Sequence, residues 1–407
     1  MPVVRRMVDS TTVSPPALPS RADVVIVGGG ITGLALAWEL SQLGLVDVVV
    51  LERAYTGSGA SGRNVARLRA MQLTAELARF ALQAQRKHER LGRELGFNTL
   101  FWRAGYAWVL YEDEEVERMV SLLPMLSELG IRPRLCDPKD TLRRISILRG
   151  GERPAGALIG RDALVHHDAV IYGYRKACIR AGVRILERTE VTGLLWDGSA
   201  VAGVAVGDHE VRSRFVVNAT EGWSRSISDM AAVDMPNAPV RREVLVTEPA
   251  RPFMSPAVTF YRPVEGWFNQ TLRGELVAGV VRPDEPEGLN QGSTFNFLQR
   301  TASLLLQKAP RLGHLNAIRQ WAGVYDMTPD RKPVIGPVER VPGFVQANGY
   351  SGRGFALAPL CAELLAQWLV TGDRPAFLEP FDANRFADRT ADPVLTTDYY
   401  DAYQRSG

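Results

Sequence analysis

Gly28, Gly30 and Gly33 follow a short apolar run, and the next apolar run ends at Glu52. Strand, glycine turn, helix, strand and acidic residue, in that order, are typical of a site that binds a dinucleotide. Gly28 allows a sharp turn out of the strand, and Gly30 lets the backbone approach a pyrophosphate. Gly33 lets the helix pack closely on the sheet. The competing interpretation is an ordinary turn between a strand and a helix.

The helix after this turn is predicted over residues 31–43. Its first N–H groups, at Ile31 and Thr32, are expected to face the phosphates. The Glu52 carboxylate suits hydrogen bonds from ribose hydroxyl groups and does not suit a ribose 2′-phosphate. The sequence therefore argues against NADP and leaves FAD and NAD open.

Composition limits the kind of protein. The chain has 407 residues, 46% of them hydrophobic and 23% charged, which predicts a large core and two domains. A net charge of +3 is too small to indicate a nucleic-acid partner. Cys136, Cys178 and Cys361 form no disulfide or zinc pattern, which favours a reducing, cytoplasmic location. The apolar runs are too short for a membrane span, and the five histidines show no metal or triad spacing, so no metal site is expected.

The order of elements predicts an α/β fold with an inserted α+β region. Apolar periodicity places the longer helices near residues 73–95, 112–129, 168–181, 295–308 and 355–370. Alternating and β-branched residues predict an antiparallel sheet within residues 241–281. The nucleotide-binding domain is Rossmann-like and discontinuous, with pieces at residues 21–75, 150–230 and 325–380. The substrate-binding domain, rich in antiparallel strands, is expected over residues 76–149 and 231–324. A disordered tail is predicted over residues 1–20 and a C-terminal tail over residues 381–407.

A second glycine-rich turn, Gly349–Gly354, opens the last predicted helix. A helix N-terminus stabilises negative charge, typically by about 0.3–2 kcal/mol. This turn therefore suits the edge of a cofactor that becomes anionic when it accepts electrons. The competing interpretation is a turn that only caps the helix.

Four segments resemble the D-amino-acid-oxidase-type flavoenzymes, in the glycine oxidase and sarcosine oxidase branch. They are residues 23–53, residues 59–64 with Arg69 beyond, residues 321–336 and residues 349–355. The nearest pattern is the β subunit of the multi-subunit sarcosine oxidases and of related archaeal proline dehydrogenases. The match covers nearly the whole chain after residue 20. The resemblance implies a glutathione-reductase-type, amino-acid-oxidase-like fold with FAD as cofactor.

The same resemblance places further residues at the cofactor. Residues 218–223 resemble the family segment near the adenine half of FAD. Beyond the glycines, Ile31, Thr32 and Glu52 of the first turn, the predicted cofactor residues are Arg53, Gly59, Ala60, Ser61, Arg63, Asn64, Val191, Ala219, Thr220, Trp223, Gly323, Gly349, Tyr350, Ser351, Gly352, Arg353, Gly354 and Phe355.

The resemblance also implies where a substrate binds. In the family an arginine seven residues after the glycine of the Gly-Arg-Asn segment holds the substrate carboxylate, which here is Arg69. Its planar fork suits a carboxylate, and Arg67 is the nearby competitor. Tyr325, Arg353 and Tyr261 complete the predicted catalytic group. The predicted pocket wall, with simple core packing as the alternative, is Phe260, Tyr261, Trp267, Phe268, Asn269 and Gln270.

Departures from the family pattern concern the substrate and the electron acceptor. Ala356 stands where sarcosine oxidases have a lysine that anchors the carboxylate, and Tyr325 stands where glycine oxidases have an arginine. Residues 321–329 lack the cysteine to which monomeric sarcosine oxidases attach FAD, so FAD is expected to be non-covalent. Monomeric sarcosine oxidases also have a lysine on a sheet strand that helps oxygen react with the reduced flavin. No lysine lies between Lys176 and Lys308 here, so the sequence leaves both an oxidase and a dehydrogenase open.

The expected activity is oxidation of the C–N bond of a glycine-type or N-substituted amino acid. The N-substituent is an alkyl or carboxymethyl group, and the product is an imine that water hydrolyses. O2 is the expected acceptor, giving H2O2. Hydride transfer from a neutral amine needs no general base, so the protein supplies positioning and electrostatics. The alternatives are a β subunit that passes electrons to a partner and a flavin-binding protein without catalysis. A homo-oligomer or a partner subunit fits either enzyme.

Overall fold

The computed structural model describes residues 17–45 and 47–387, so the predicted tail residues 1–16 and 388–407 lie outside the described part. The strands are β1 (Arg21–Val27), β2 (Val48–Leu51), β3 (Arg67–Leu68), β4 (Tyr106–Leu110), β5 (Arg134–Cys136), β6 (Gly156–Gly160), β7 (Ala163–Leu164), β8 (Arg184–Leu186), β9 (Gly193–Asp197), β10 (Ala200–Val206), β11 (His209–Asn218), β12 (Ala238–Pro249), β13 (Ala257–Phe260), β14 (Gly266–Gln270), β15 (Glu275–Val280), β16 (Ala317–Met327), β17 (Val334–Pro337) and β18 (Phe344–Asn348). The helices are α1 (Ile31–Gln42), α2 (Ala75–Glu94), α3 (Asp113–Ser121), α4 (Leu123–Glu128), α5 (Pro138–Arg144), α6 (His167–Arg180), α7 (Ser224–Met230), α8 (Phe295–Lys308) and α9 (Gly354–Thr371).

The first sheet carries the glycine turns. Its strand order is β17-β18-β11-β1-β2-β8, and β9 and β10 extend it from β11. The pairs β1–β2, β1–β11, β2–β8 and β11–β18 are parallel. Continuous apolar runs such as Val48–Leu51 are typical of parallel strands, because both faces of such a sheet are covered. This architecture confirms the predicted Rossmann-like fold class.

Four long helices form the layer over this sheet. Helix α1 packs against α6 and α9, and α2 packs against α9. Gly354–Thr371 has the length and apolar composition of a membrane span, but half of it is buried within the fold. Packing against α1 and α2 accounts for its apolar sequence.

Lys87 ties three of these helices together. Its Nζ lies 2.8 Å from Glu39 on α1, 2.9 Å from Glu94 on α2 and 2.8 Å from Glu363 on α9. Burial lowers the pKa of Lys87, but the carboxylates outweigh burial and raise its pKa well above the usual range. The cluster keeps its charge and fixes α9, whose N-terminus reaches the candidate site.

The second sheet has the order β16-β12-β15-β14-β13-β4-β6-β5. Its pairs are antiparallel except β13–β4. One face packs against α8, in a cluster that includes Phe260, Phe268, Phe297 and Leu304. The predicted antiparallel sheet is therefore present, and it is larger than residues 241–281.

Several sequence boundaries differ from the structure. β6 pairs with β4 and β5, so residues 156–160 belong to the second sheet and not to the nucleotide-binding piece predicted over residues 150–230. The predicted helix at residues 112–129 is two helices, because Pro124 lacks the N–H that a continuing helix needs. Residues 17–20 and 381–387, assigned above to tails, belong to the folded part. The Ser20 carbonyl accepts from the Arg212 N–H at 3.0 Å, and Phe381 is 1% exposed.

Candidate functional site

The first glycine turn leaves no room for side chains. Gly28 has φ +112°, and a Cβ there would lie 2.5 Å from the Ala219 carbonyl oxygen. A Cβ at Gly33 would lie 2.0 Å from the Gly28 carbonyl oxygen. At Gly30 a Cβ would lie 2.9 Å from the Ser61 hydroxyl, which accepts the Ile31 N–H at 2.9 Å. The α1 N-terminus thus meets a bare turn and one hydroxyl group, an arrangement suited to a phosphate.

Glu52 is held at the end of β2 by backbone groups. Its Oε2 accepts from Gly29 N at 2.8 Å, and its Oε1 accepts from Ala54 N at 2.8 Å and Ser58 Oγ at 3.3 Å. A carboxylate has about four lone-pair positions, so acceptor capacity remains for ribose hydroxyl groups. The structure adds a role that the sequence did not show, which is fixing the turn itself.

The segment after β11 faces the same turn. Ala219 lies against Gly28, and the Thr220 hydroxyl donates to Asn218 Oδ1 at 2.7 Å. The Arg53 guanidinium lies 4.1 Å from the centre of the Trp223 ring, and Val191 is buried. Ala219, Thr220 and Trp223 belong to the segment predicted near adenine, and Arg53 and Val191 are further predicted cofactor residues.

The loop predicted to follow the cofactor is fastened to β16. Arg63 Nε donates to the Ser58 carbonyl at 3.0 Å, and Arg63 Nη1 donates to the Ala322 carbonyl at 3.2 Å. Trp321 Nε1 donates back to the Arg63 carbonyl at 2.8 Å. A Cβ at Gly323 would lie 3.3 Å from the Arg63 Cβ. The structure therefore places Gly323 against the loop of residues 59–64.

The second glycine turn is equally crowded. Gly349 and Gly352 have φ of +70° and +83°, and Ser351 has φ +50°. A Cβ at Gly352 would lie 2.3 Å from the Tyr325 ring, and one at Gly354 would lie 2.7 Å from Glu221 Oε1. Tyr350 is fully buried beneath the turn. The turn presents the N-terminus of α9 to the space beside Tyr325.

Buried polar groups support this second turn from behind. Asp326 Oδ2 accepts from Ser224 Oγ at 2.8 Å, Asn237 Nδ2 at 2.9 Å and Gly349 N at 2.9 Å. Burial raises the pKa of Asp326 to about 6. Sequence patterns did not identify this group as part of the site.

His88 supports the first turn of α9. Its Nε2 lies 3.1 Å from the Phe355 carbonyl oxygen. Burial lowers the pKa of His88 to about 4, so the ring is neutral at pH 7. A neutral ring can meet a carbonyl only through its N–H, so Nε2 is the donor.

Two cavities border the loop at residues 57–66. One, of about 780 Å³, includes the side chains of His166, Arg175 and Arg319. The other, of about 190 Å³, includes Ser351, Gly352 and Phe355 of the second turn. The smaller cavity reaches both the loop and the α9 N-terminus, so it is the candidate catalytic cavity.

Arg69 and Arg353 converge in the candidate catalytic cavity. Gln72 Oε1 accepts from Arg69 Nη2 at 3.5 Å and from Arg353 Nε at 3.3 Å. Arg69 Nη1 also donates to the Tyr106 hydroxyl at 3.3 Å. Tyr325 lines the same cavity. Two guanidinium groups joined through one amide oxygen form a site for a carboxylate.

The predicted pocket wall is mostly wrong. Of its six residues, Trp267 lines the candidate catalytic cavity. Phe260 and Phe268 are buried on the face of the sheet that packs against α8, and Tyr261 is buried with Trp108. Successive residues of a strand face opposite sides, so Trp267 and Phe268 cannot share a wall. Tyr261 is not among the residues that line this cavity.

Sequence reasoning missed other lining residues. They are Val65, Ala66, Gln72, Tyr106, Arg242, Glu243, Val244, Glu265, Val280, Val281, Met327, Arg331 and Leu357. Single polar residues on β12 and on the loops carry no motif. Their positions depend on strand register, so only the structure could find them.

A family model described as FAD dependent oxidoreductase matches residues 23–368. The chain belongs to this family. The sarcosine oxidase subunit beta of Rhodobacter capsulatus is 28% identical over 378 residues, which cover 92% of this chain and 90% of that protein. Among solved structures, an L-proline dehydrogenase from P. horikoshii has a TM-score of 0.85 and 27% identity, covering 91% of this chain and 99% of that one. A glycine oxidase from Geobacillus kaustophilus, with a TM-score of 0.82 and 23% identity, covers 90% of this chain and 99% of its own, and shows the shared fold.

The described residues of this FAD-dependent oxidoreductase fit its cofactor. Both glycine turns are cradles that a Cβ would fill, and each turn leads into the N-terminus of a helix, which suits a phosphate or another negative group. None of the three cysteines lies in β16, which contains most of the segment where monomeric sarcosine oxidases attach FAD. Residues 28–33, Glu52 and the loop at residues 59–64 would hold the dinucleotide, and residues 349–355 would hold its flavin end.

Glu221 departs from the family pattern. It occupies the position of a glycine in the segment that residues 218–223 resemble, and its φ is +48°. Its carboxyl group lies beside Gly354, at the N-terminus of α9. Burial and the Asp326 charge raise the pKa of Glu221 well above the usual range. The neutral form of this carboxyl group is therefore the favoured one in the folded protein.

Replacing Glu221 by glutamine is expected to stabilise the protein at neutral pH and to leave its stability almost unchanged near pH 4.5. With the folded pKa above the unfolded one, the folded state keeps a proton that the unfolded state releases as pH rises. The free energy of unfolding therefore falls as the pH rises from about 4.5 to the pKa of Glu221 in the folded protein, by up to about 1.4 kcal/mol per pH unit. Glutamine has no proton to release in this range, so Glu221→Gln removes the fall. Thermal unfolding midpoints from pH 4.5 to 8 measure it, with the exposed Glu339→Gln as control. A Glu221→Gln curve parallel to wild type would contradict the expectation.

Proposed function

We propose that the chain oxidises the C–N bond of a glycine-type or N-substituted amino acid to an imine, which water then hydrolyses. The observation that carries this proposal is the convergence of Arg69 and Arg353 on Gln72 in the candidate catalytic cavity. When bound, FAD supplies the two-electron acceptor for the hydrogen on the carbon beside nitrogen.

The residues of the cavity bind and orient the substrate. Arg69 receives the carboxylate through its planar fork, and Tyr106 and Gln72 fix the plane of that fork. Arg353 replaces the anchor that is missing at Ala356, because its side chain reaches the same amide oxygen. Nearby guanidinium charges lower the pKa of a bound amine. They therefore favour the neutral amine, which hydride transfer requires.

O2 is the acceptor in the first form of the proposal. The test is a panel of glycine, proline and N-substituted glycines mixed with the purified flavoprotein. We expect loss of the oxidised flavin absorbance without oxygen, and peroxide release with oxygen. If no amino acid bleaches the flavin, the proposed function is wrong.

A dehydrogenase β subunit that uses another acceptor is the second candidate. The similarity to subunit beta of the Rhodobacter capsulatus sarcosine oxidase favours a subunit, and the similarity to the P. horikoshii L-proline dehydrogenase favours a dehydrogenase. Within the described chain, the lining of the candidate catalytic cavity contains arginines and no lysine. Lys308 is fully buried elsewhere, with Nζ 2.7 Å from Glu152. Bleaching without peroxide, together with co-purifying chains, would select this candidate over the oxidase.

A further inference from the structure

The candidate catalytic cavity carries more positive charge than one substrate carboxylate needs. Its charged lining residues are Arg63, Arg67, Arg69, Arg242, Arg331, Arg353, Glu243 and Glu265. Six positive charges thus face two negative ones. Glu243 is already engaged, since Thr294 donates to its two oxygens through the backbone N–H at 2.5 Å and the hydroxyl at 3.3 Å. A substrate with one carboxylate and a neutral amine offsets one of these charges and leaves most of the excess.

Arg67 and Arg242 donate their hydrogen bonds to groups other than Gln72. Arg67 Nη1 donates to Thr259 Oγ1 at 3.1 Å, and its guanidinium lies 4.5 Å from the centre of the Trp267 ring. Arg242 Nη1 donates to the carbonyl of its neighbour Arg241 at 3.0 Å. Across residues 17–45 and 47–387, neither guanidinium has a carboxylate oxygen within 4.0 Å, whereas Arg241 is paired with Glu285 at 2.7 Å.

Arginines from both groups, the pair Arg67 and Arg242 and the group around Gln72, lie near Tyr325. The Arg242 guanidinium lies 5.6 Å from the centre of the Tyr325 ring, and that ring touches Gly352 of the second turn. Burial raises the pKa of Tyr325, while the charges of Arg242, Arg67 and Arg353 lower it. The charges of arginines from both groups therefore act on the Tyr325 hydroxyl. The two groups lie close enough for one small ligand to contact both.

We propose that the substrate carries a second carboxylate, on its N-substituent or side chain, and that Arg67 and Arg242 bind it while Arg69 and Arg353 bind the first. Partly buried arginines without a carboxylate partner are costly unless a ligand completes them. With the amine neutral, as hydride transfer requires, two carboxylates carry a net charge of −2, which offsets more of the excess than one carboxylate can. This inference rests on the proposed function and decides between its alkyl and carboxymethyl forms.

Binding of two unreactive ethers tests the inference without catalysis. Methoxyacetate and oxydiacetate are the ether counterparts of N-methylglycine and N-carboxymethylglycine, and they differ by one carboxylate. Each is titrated into the wild-type holoenzyme, and the dissociation constant is read from the change in flavin absorbance. We expect oxydiacetate to bind about 10- to 100-fold more tightly, the effect of one charge-assisted hydrogen bond. Equal binding of the two ethers would overturn the inference.

Two variants and the matching amines extend the test. Arg67→Gln and Arg242→Gln should each remove most of the preference for oxydiacetate, while Arg340→Gln, at an exposed turn, should keep it. The same preference is expected in anaerobic flavin reduction by N-carboxymethylglycine over N-ethylglycine. Reduction by both amines at equal rates would refute the second carboxylate and leave the proposed function standing. Reduction by neither, nor by any other amine, would refute both.

Discussion

Gly33→Ala is expected to yield a protein that retains less than about a tenth of its FAD and unfolds more easily by about 3 kcal/mol. The new Cβ would lie 2.0 Å from the Gly28 carbonyl oxygen and 3.1 Å from Ile26 Cγ2. The first of these atoms is backbone, so α1 must move away from β1 to accommodate it. Overpacking of this kind costs about 1–3 kcal/mol and sometimes more. The displaced N-terminus no longer meets the pyrophosphate.

The flavin-to-protein absorbance ratio and the thermal midpoint measure this effect. Gly193→Ala is the matched control, because a Cβ there meets its nearest atom, the Ala205 Cβ, at 3.8 Å. The control should bind FAD as wild type does. A Gly33→Ala protein with full flavin content and an unchanged midpoint would show that the helix does not need this close contact.

Local patterns were sufficient to predict the cofactor half of the fold. Gly28, Gly33 and Gly352 each occupy a place where a Cβ would collide with backbone or ring atoms. Such a constraint acts within a few residues of sequence, so it leaves a visible motif. The family resemblance placed Arg69 at the substrate carboxylate, by its distance from the Gly-Arg-Asn segment.

The substrate half depends on pairings that sequence does not encode locally. The run Gly156–Gly160 is apolar enough for either sheet, and its place was decided by pairing with β4, which is some fifty residues earlier. Phe268 was assigned to the pocket wall, yet it faces α8 because its neighbour Trp267 faces the cavity. A shift of one residue in strand register exchanges the two faces.

Arg242 shows the same limit for a functional residue. One arginine in an arginine-rich sequence is not distinguishable from a solvated one. Its significance came from facing the candidate catalytic cavity without a carboxylate, while Arg241 beside it is paired with Glu285. The excess of positive charge depends on which residues are neighbours in three dimensions. Those neighbours are known only when the register of the strands is known.

Arg69→Ala is expected to lower kcat/KM for the best amine of the panel by about 100-fold or more, and to leave FAD content unchanged. The loss corresponds to about 3 kcal/mol, the cost of removing one partner of a hydrogen-bonded charge pair. Arg69 lines the cavity, where it donates hydrogen bonds to Tyr106 and Gln72. The flavin should therefore stay bound while the substrate carboxylate loses its anchor.

Arg69→Lys separates charge from geometry. Lysine keeps the charge but cannot form the planar fork, so we expect a loss of about tenfold, between wild type and alanine. Binding of methoxyacetate, followed through the flavin absorbance, should weaken in the same order, and the exposed Arg340→Ala should match wild type in both measurements. If Arg69→Ala binds methoxyacetate as tightly as wild type, Arg353 or Arg67 must be the main anchor. The carboxylate would then lie closer to Tyr325, because Arg353 and Arg67 both act on that ring.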